Sequence, residues 1–438
     1  MDYSEENRTE KRSRKRQSRF SGPPIIPAVL IICLVLAGVF WFLIGPGSKG
    51  AGKGAAEAPR TTEETTAVQE ETGVGESAEE DDLADIGGPA SETTEPEDKG
   101  DGSPAAVQIP GVGPGKPEEV EPEEISGDVT LGFAGDIYFS DYVLQAYDSV
   151  GGPDGILDGT LREAVSTSDF FVANQEFPFS NAGTPAKDKE FTFRISPDRV
   201  HIMQEIGTDC VTLANNHVLD YGAEALVQNN ALLDAAGIRR TGAGAGLAEA
   251  EQLVILEAKG KKIGILAGSR VYPDAGWAAG PTHAGVLSAY DPGRLIADIQ
   301  KSKAECDYLA VAIHWGIEKK QVPENYQKEM GHKFIDAGAD IVIGSHPHVL
   351  QGIEYYAGKP ILYSMGNFIF NSSIPETMLG RITFKEDGST SLQVIPAAAS
   401  GGRTAVLPEA KREAFFQKLQ GLSFGVTIDS EGYVNPIQ

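Results

Sequence analysis

Twenty consecutive residues, IIPAVLIICLVLAGVFWFLI from Ile25 to Ile44, carry no charged side chain. As a helix rising 1.5 Å per residue the run is ~30 Å long, the thickness of a bilayer's hydrocarbon core. Pro27 falls in the first turn, where its missing N–H costs little, and Trp41 falls near the far end, where an indole favours the interface. The preceding KRSRKRQSR (Lys11–Arg19) is strongly basic, which holds an N-terminus in the cytoplasm. A cleaved signal peptide fits less well, because its apolar core spans only about 7–15 residues and no clear A-x-A site directly follows the run here. The expectation is a single-pass protein of the cell membrane. Residues 1–24 form a basic cytoplasmic tail, residues 25–44 the transmembrane helix, and everything later is extracytoplasmic.

The stretch beyond the apolar run is of a different kind. Residues 51–128 hold 22 Asp and Glu against 4 Lys and Arg, a local balance of −18 within a chain total of −26. TTEETTAVQEETGVGESAEEDD within it cannot bury enough apolar surface to offset its ordering entropy. Residues 45–127 are therefore expected to be a disordered acidic linker, a self-repelling spacer. The remainder has no basic patch, which argues against nucleic acid as a partner. Cys33, Cys210 and Cys306 form neither a disulfide framework nor a CxxC metal site.

Order is expected from residue 128 to residue 438. Apolar runs at Val129–Ala134, Phe170–Ala173, Cys210–Ala214, Lys262–Ala267, Tyr308–Ile313 and Asp340–Ile343 read as buried strands. Helices fit Ala223–Ala236, stopped by Gly237, and Pro292–Lys303 and Pro323–Ala337. Strands alternating with helices imply parallel βαβ units and an α/β domain. Later come short strands at Ile361–Met365, Gly380–Phe384 and Ser391–Ile395, a helix over Glu409–Gly421 and a terminal strand.

The residues able to do chemistry share one placement. Asp136, Glu176, Asn216, His217, His314, His346 and His348 each lie just beyond an apolar strand. The carboxyl ends of strands are where open α/β sheets bind ligands, so these groups are expected along one sheet edge. Carboxylates, an amide and imidazoles without a thiolate suit Mn, Fe or Zn. A carboxylate can bridge two ions ~3.5–4 Å apart, which can clamp a phosphoryl group. In Ser345-His346-Pro347-His348 a Pro-fixed turn lets both rings face one cleft. Softer candidates for substrate contacts are Asn174, Asn367 beyond LYSM, and Arg403 after two glycines.

The ordered blocks FAGDI, NQE, LANNHVLDYG, AIHWGIE, GADIVIGSHPHVLQGIE and YSMGNFIF resemble the calcineurin-like metallophosphoesterase superfamily, and more closely its CapA-type poly-γ-glutamate capsule synthesis branch. The resemblance runs from Asp128 to about Ala399. It implies a layered β-sheet sandwich flanked by helices, and two divalent transition-metal ions. Asp136, Glu176 and His348 would hold one ion, and Glu176, Asn216, His314 and His346 the other, with Glu176 bridging. His217 would be the catalytic acid or a substrate-facing imidazole, and Asn174 a further ligand or a hydrogen-bond partner of one. The superfamily's first motif is Asp-x-His, whereas Tyr138 stands third here, and a Glu replaces its bridging Asp.

The resemblance implies three functions. The first is biosynthesis, export or attachment of an anionic surface polymer, poly-γ-glutamate above all, by a metal-dependent hydrolase or transferase. The second is an extracytoplasmic phosphodiesterase or phosphomonoesterase. The third is a non-enzymatic, membrane-anchored partner of a synthase complex.

Overall fold

The structure, a computed structural model, describes residues 127–437. The basic tail, the membrane segment and nearly all of the acidic linker lie outside the described residues. Among the described residues no helix is long and apolar enough to cross a membrane.

Strands β1 (Val129–Ile137), β2 (Phe170–Gln175), β3 (Cys210–Thr212) and β4 (Arg239–Thr241) lie parallel and adjacent in that order. On its other side β1 pairs antiparallel with Ser373–Phe384, which continues through Thr390–Ser400 into the C-terminal strands. A second sheet has four parallel strands at its centre: Lys359–Leu362, Ile341–Ser345, Tyr308–His314 and Lys261–Ser269.

Alternate residues of these strands enter different layers, and this explains why the runs read as continuously apolar. Leu131, Phe133, Val172 and Cys210 meet Ile263, Ile265, Ala310, Ile341 and Ile343 between the two sheets. Phe171, Ala173 and Val211 point the other way, against Val143, Leu161 and Leu226 of flanking helices. Leu309, Val311 and Val342 face Leu295, Ile299, Met330 and Phe334 on the helices outside the second sheet. The result is a mixed α/β fold in four layers, helix–sheet–sheet–helix.

Two expectations need correction. The candidate groups do not share one sheet edge: Asp136, Glu176, Asn216 and His217 come at or after strands of the first sheet, and His314, His346 and His348 at or after strands of the second. Chain direction permits the meeting, because parallel strands in both sheets end at the same face of the sandwich, where the His346 N–H reaches Asp136 Oδ2 at 3.3 Å. The late hairpin is also longer than its sequence suggests, Ser373–Phe384 against Thr390–Ser400. Pro375 and Glu376 mask its start, and the register shifts between Ile374 and Thr377, the kind of irregularity that accommodates a proline.

The helix Gly293–Ser302 holds a carboxyl at odds with its surroundings. Burial, then the charge of Glu251, raise Asp298 to about 6, and its Oδ2 is buried without a partner. A carboxyl whose native pKa is raised contributes stability below its unfolded value of ~3.9, and that contribution is lost as pH climbs through about 6. Asp298→Asn should therefore be more stable than wild type at pH 7.5 by about 1–2 kcal/mol after solvent screening, and the two should converge near pH 4. Urea unfolding at both pH values checks this; an equal gain at both would exclude the ionisation as its cause.

Candidate metal centre and its cleft

The centre starts where β1 ends. The register of β1 shifts between Ala134 and Asp136 against β2, and between Asp136 and Ile137 against Asn367–Ile369. Such a bulge re-aims a side chain, and Asp136 is fully buried. Its Oδ1 accepts from Asn174 Nδ2 at 2.8 Å. Asn174 Oδ1 in turn accepts from Asn215 Nδ2 at 3.1 Å, and Asn215 Oδ1 accepts from the N–H groups of His217 and Val218, each at 3.0 Å. Asn215 thus fixes the turn that presents Asn216 and His217.

Glu176 lies at the middle of the group, wholly buried, with neither carboxylate oxygen hydrogen-bonded. His314 Nε2 is 3.5 Å from its Oε1, and His348 Nδ1 is 3.9 Å from its Oε2. His314 is oriented by Ser345 Oγ, 2.9 Å from Nδ1, and its Nε2 is 2.7 Å from Asn216 Oδ1. His348 Nδ1 lies 3.5 Å from Asp136 Oδ2 and 2.7 Å from Asn367 Oδ1. His346 Nδ1 is buried and unpartnered. Ligand atoms of Glu176, His346 and His348 all fall within 4.8 Å of one another. His346 and His348 both have left-handed backbone, φ 97° and 56°, a conformation that costs on the order of 1 kcal/mol or more for a non-glycine residue.

Electrostatics fit a cation here. Burial, then Asp136, push the Glu176 carboxyl well above the usual range. Burial and neighbouring imidazoles lower His346 to about 3 and hold His314 well below the usual range, so both rings are neutral, the form that ligates metals. Burial opposes the charge of His348, yet Glu176 and Asp136 raise it to about 9. An orphaned buried carboxylate beside an orphaned imidazole nitrogen is the donor set an N/O-preferring divalent ion would satisfy.

His217 stands beside this group on an open cleft of about 540 Å³, lined in part by Tyr138, Lys189, Phe193, Lys319, His348 and Phe370. Its Nδ1 is 2.7 Å from Asp220 Oδ2 and 3.1 Å from Lys189 Nζ, leaving Nε2 for a ligand. Burial lowers its pKa against the pull of Asp220. Phe193 stacks on the ring at 4.0 Å and 15°, and Tyr138 stacks on Phe193 at 4.0 Å and 16°. Lys189 pairs with Asp220 and donates to the Asn216 carbonyl. A larger groove of about 610 Å³ runs along the helix Glu409–Leu422, and none of the candidate ligands line it.

None of the three candidates for substrate contacts lines the open cleft. Asn174 is buried and spends its amide on Asp136 and Asn215. Asn367 is buried and turned to His348. Both support ligand candidates, because a buried carboxylate and imidazole each require a partner. Arg403 is exposed outside the cleft, its Nε donating to the Asp154 carbonyl at 2.7 Å. Sequence reasoning missed Lys189, Asp220 and Phe193. Asp220 lies three residues after His217, and that spacing was the available signal; Lys189 and Phe193 sit in an irregular segment with no periodicity to mark them.

Comparison with known proteins gives a consistent result. Residues 130–372 match the family described as bacterial capsule synthesis protein PGA_cap. The chain is 30% identical to the PGA biosynthesis protein CapA of Bacillus subtilis, over 64% of this chain and 75% of that one. It is 29% identical to a probable polyglutamine synthesis accessory protein of Mycobacterium tuberculosis, over 60% of this chain and 75% of that one. Among solved structures, the NAD nucleotidase of Haemophilus influenzae aligns with 68% of this chain and 63% of its own, at 13% identity and a TM-score of 0.39. That last likeness is too distant to carry an argument.

Proposed function

This chain belongs to the PGA_cap family of bacterial capsule synthesis proteins, and on that premise we propose that it acts at the outer face of the cell membrane, in the synthesis, export or attachment of poly-γ-glutamate or a similar anionic polymer, through a two-metal centre. The observation that carries the reading is the Glu176 carboxylate, buried without a hydrogen bond among His314, His346, His348 and Asp136. Asp136, Glu176 and His348 would hold one ion; Glu176, Asn216, His314 and His346 the other. Divalent ions bound there supply electrophilic charge to carboxylate or phosphoryl oxygens. The chain's own part is positional and acid–base. Asp220 and Lys189 fix the His217 ring, Phe193 covers one face of it, and Nε2 is placed to give a proton to a leaving group. The layered sandwich is of the metallophosphoesterase kind on this reading, and the apolar run 25–44 anchors it.

The name of the Mycobacterium tuberculosis relative, an accessory protein, favours a second reading: an anchored partner of a polymer synthase whose ions bind polymer without catalysis. Complementing a deletion strain separates the two. Under the first reading His217→Ala, which keeps all the proposed ligands, leaves surface polymer reduced about 100-fold or more, as general acid–base losses run. If His217→Ala restores wild-type polymer amount and length, the catalytic reading fails and the accessory role takes its place.

A further inference from the structure

Six non-glycine residues among the described ones have left-handed backbone: Asp188, Lys259, Lys319, His346, His348 and Ala357. Lys259-Gly260 and Ala357-Gly358 are two-residue turns of antiparallel hairpins, where positive φ at both central positions matches strand twist. The other four cluster at the cleft: two are the candidate ligands His346 and His348, Asp188 adjoins the cleft residue Lys189, and Lys319 lines the mouth itself. Lys319 is held at φ 62° with its N–H donating to the Pro347 carbonyl at 2.8 Å, inside the turn that carries both imidazoles. Glycine would adopt that backbone freely; a long cation there stands against its conformational preference.

The charges of the mouth explain what such a cation could do. Two lysines line the cleft, and Lys189 is committed to Asp220. Among the described residues Lys319 makes no ion pair, while the carboxylates of Glu190 and Glu318 line the same opening. A polyanion entering here meets two repelling carboxylates and one uncommitted ammonium.

We propose that Lys319 is a specificity-determining residue that takes a second carboxylate of a polyanionic chain, one repeat away from the group that reaches the metal centre. The inference rests on the metal-centre reading above and adds to it a preference for a chain over a single anion. The test uses the full chain loaded with Mn²⁺ and two probes, inorganic phosphate and γ-linked tetraglutamate, with affinities from calorimetry. Phosphate reports the centre alone; the oligomer reports the centre and the mouth. In Lys319→Ala the ratio of oligomer to phosphate affinity should fall about 5–10-fold, the worth of one partly solvated charge-assisted contact. Lys319→Gly should show the same fall while melting at or above the wild-type temperature, because it relieves the backbone. An unchanged ratio in both variants, with wild type binding both probes, overturns the role of Lys319 and leaves the centre standing. Wild type that binds neither probe overturns the centre and this inference together.

Discussion

Glu176→Gln should make the metal-free protein more stable and leave it deaf to metal. In wild type the carboxylate is wholly buried, both oxygens lack hydrogen bonds, and Asp136 is near enough to raise its pKa. A buried carboxyl that no hydrogen bond satisfies destabilises the native state even beside His348, and replacing it by a neutral isostere recovers about 1–3 kcal/mol. A cation reverses the account. At 100 times its dissociation constant a bound ion adds about 2.7 kcal/mol to wild type, and removing the proposed bridging ligand should weaken binding at least about 100-fold. Thermal unfolding with chelator and with Mn²⁺ should therefore invert the order: the variant melts higher in chelator, wild type higher with metal. A variant that responds to Mn²⁺ as wild type does, or that melts lower in chelator, would take Glu176 out of the centre.

The second large effect comes from a residue with no side chain. A Cβ on Gly135 would lie 2.0 Å from the Gly366 carbonyl oxygen and 2.9 Å from Met365 Cβ. The nearer atom is backbone, so no rotamer change relieves the clash. The end of β1 would have to part from the chain at Gly366, breaking the Asp136 N–H bond to that carbonyl at 3.0 Å and the pairing of Asp136 with Asn367. Gly135→Ala should cost about 3 kcal/mol or more, a fall of roughly 6–12 °C in melting temperature. Metal affinity should fall with it, because Asp136 and the Asn367 that orients His348 both shift. Gly159→Ala is the control: it opens a helix and a Cβ there meets nothing within 4 Å. A Gly135→Ala protein as stable as that control would show that the strand ends are not packed as described.

Much of the fold is legible in the sequence because strands buried on both faces announce themselves. Phe171, Val172 and Ala173 face two different cores, so all must be apolar. The helix Asp141–Val150 is less legible: its tyrosines, valines and aspartates are poor helix formers. It is held by Val143 and Tyr147, one turn apart on the buried face, and closed by Gly151 at φ 77°. The strand-end residues were readable as a set for the same topological reason, but not which sheet each came from, since pairing partners are tertiary information. The inward turn of Asn174 and Asn367 was hidden too, because an asparagine after a strand looks alike whether it faces solvent or a buried carboxylate. Tyr138 is the clearest case. Its ring stacks on Phe193, which in turn stacks on His217, so the residue two positions beyond Asp136 becomes support for the neighbouring imidazole.

The division of the centre between two sheets also bears on when it can come into being. The Asp136 carboxylate and the His346 N–H that it receives are 210 residues apart in sequence, and Asn216 and His314 are 98 apart. Contacts of such long range form late, after the loop-closure entropy between them has been met. A chain emerging N-terminus first would expose the Asp136 and Glu176 half with no imidazole of the second sheet to complete it. Chain completion, rather than metal supply, would then be the gate on loading, and a captured ion would act as a stamp on molecules whose two halves have already joined.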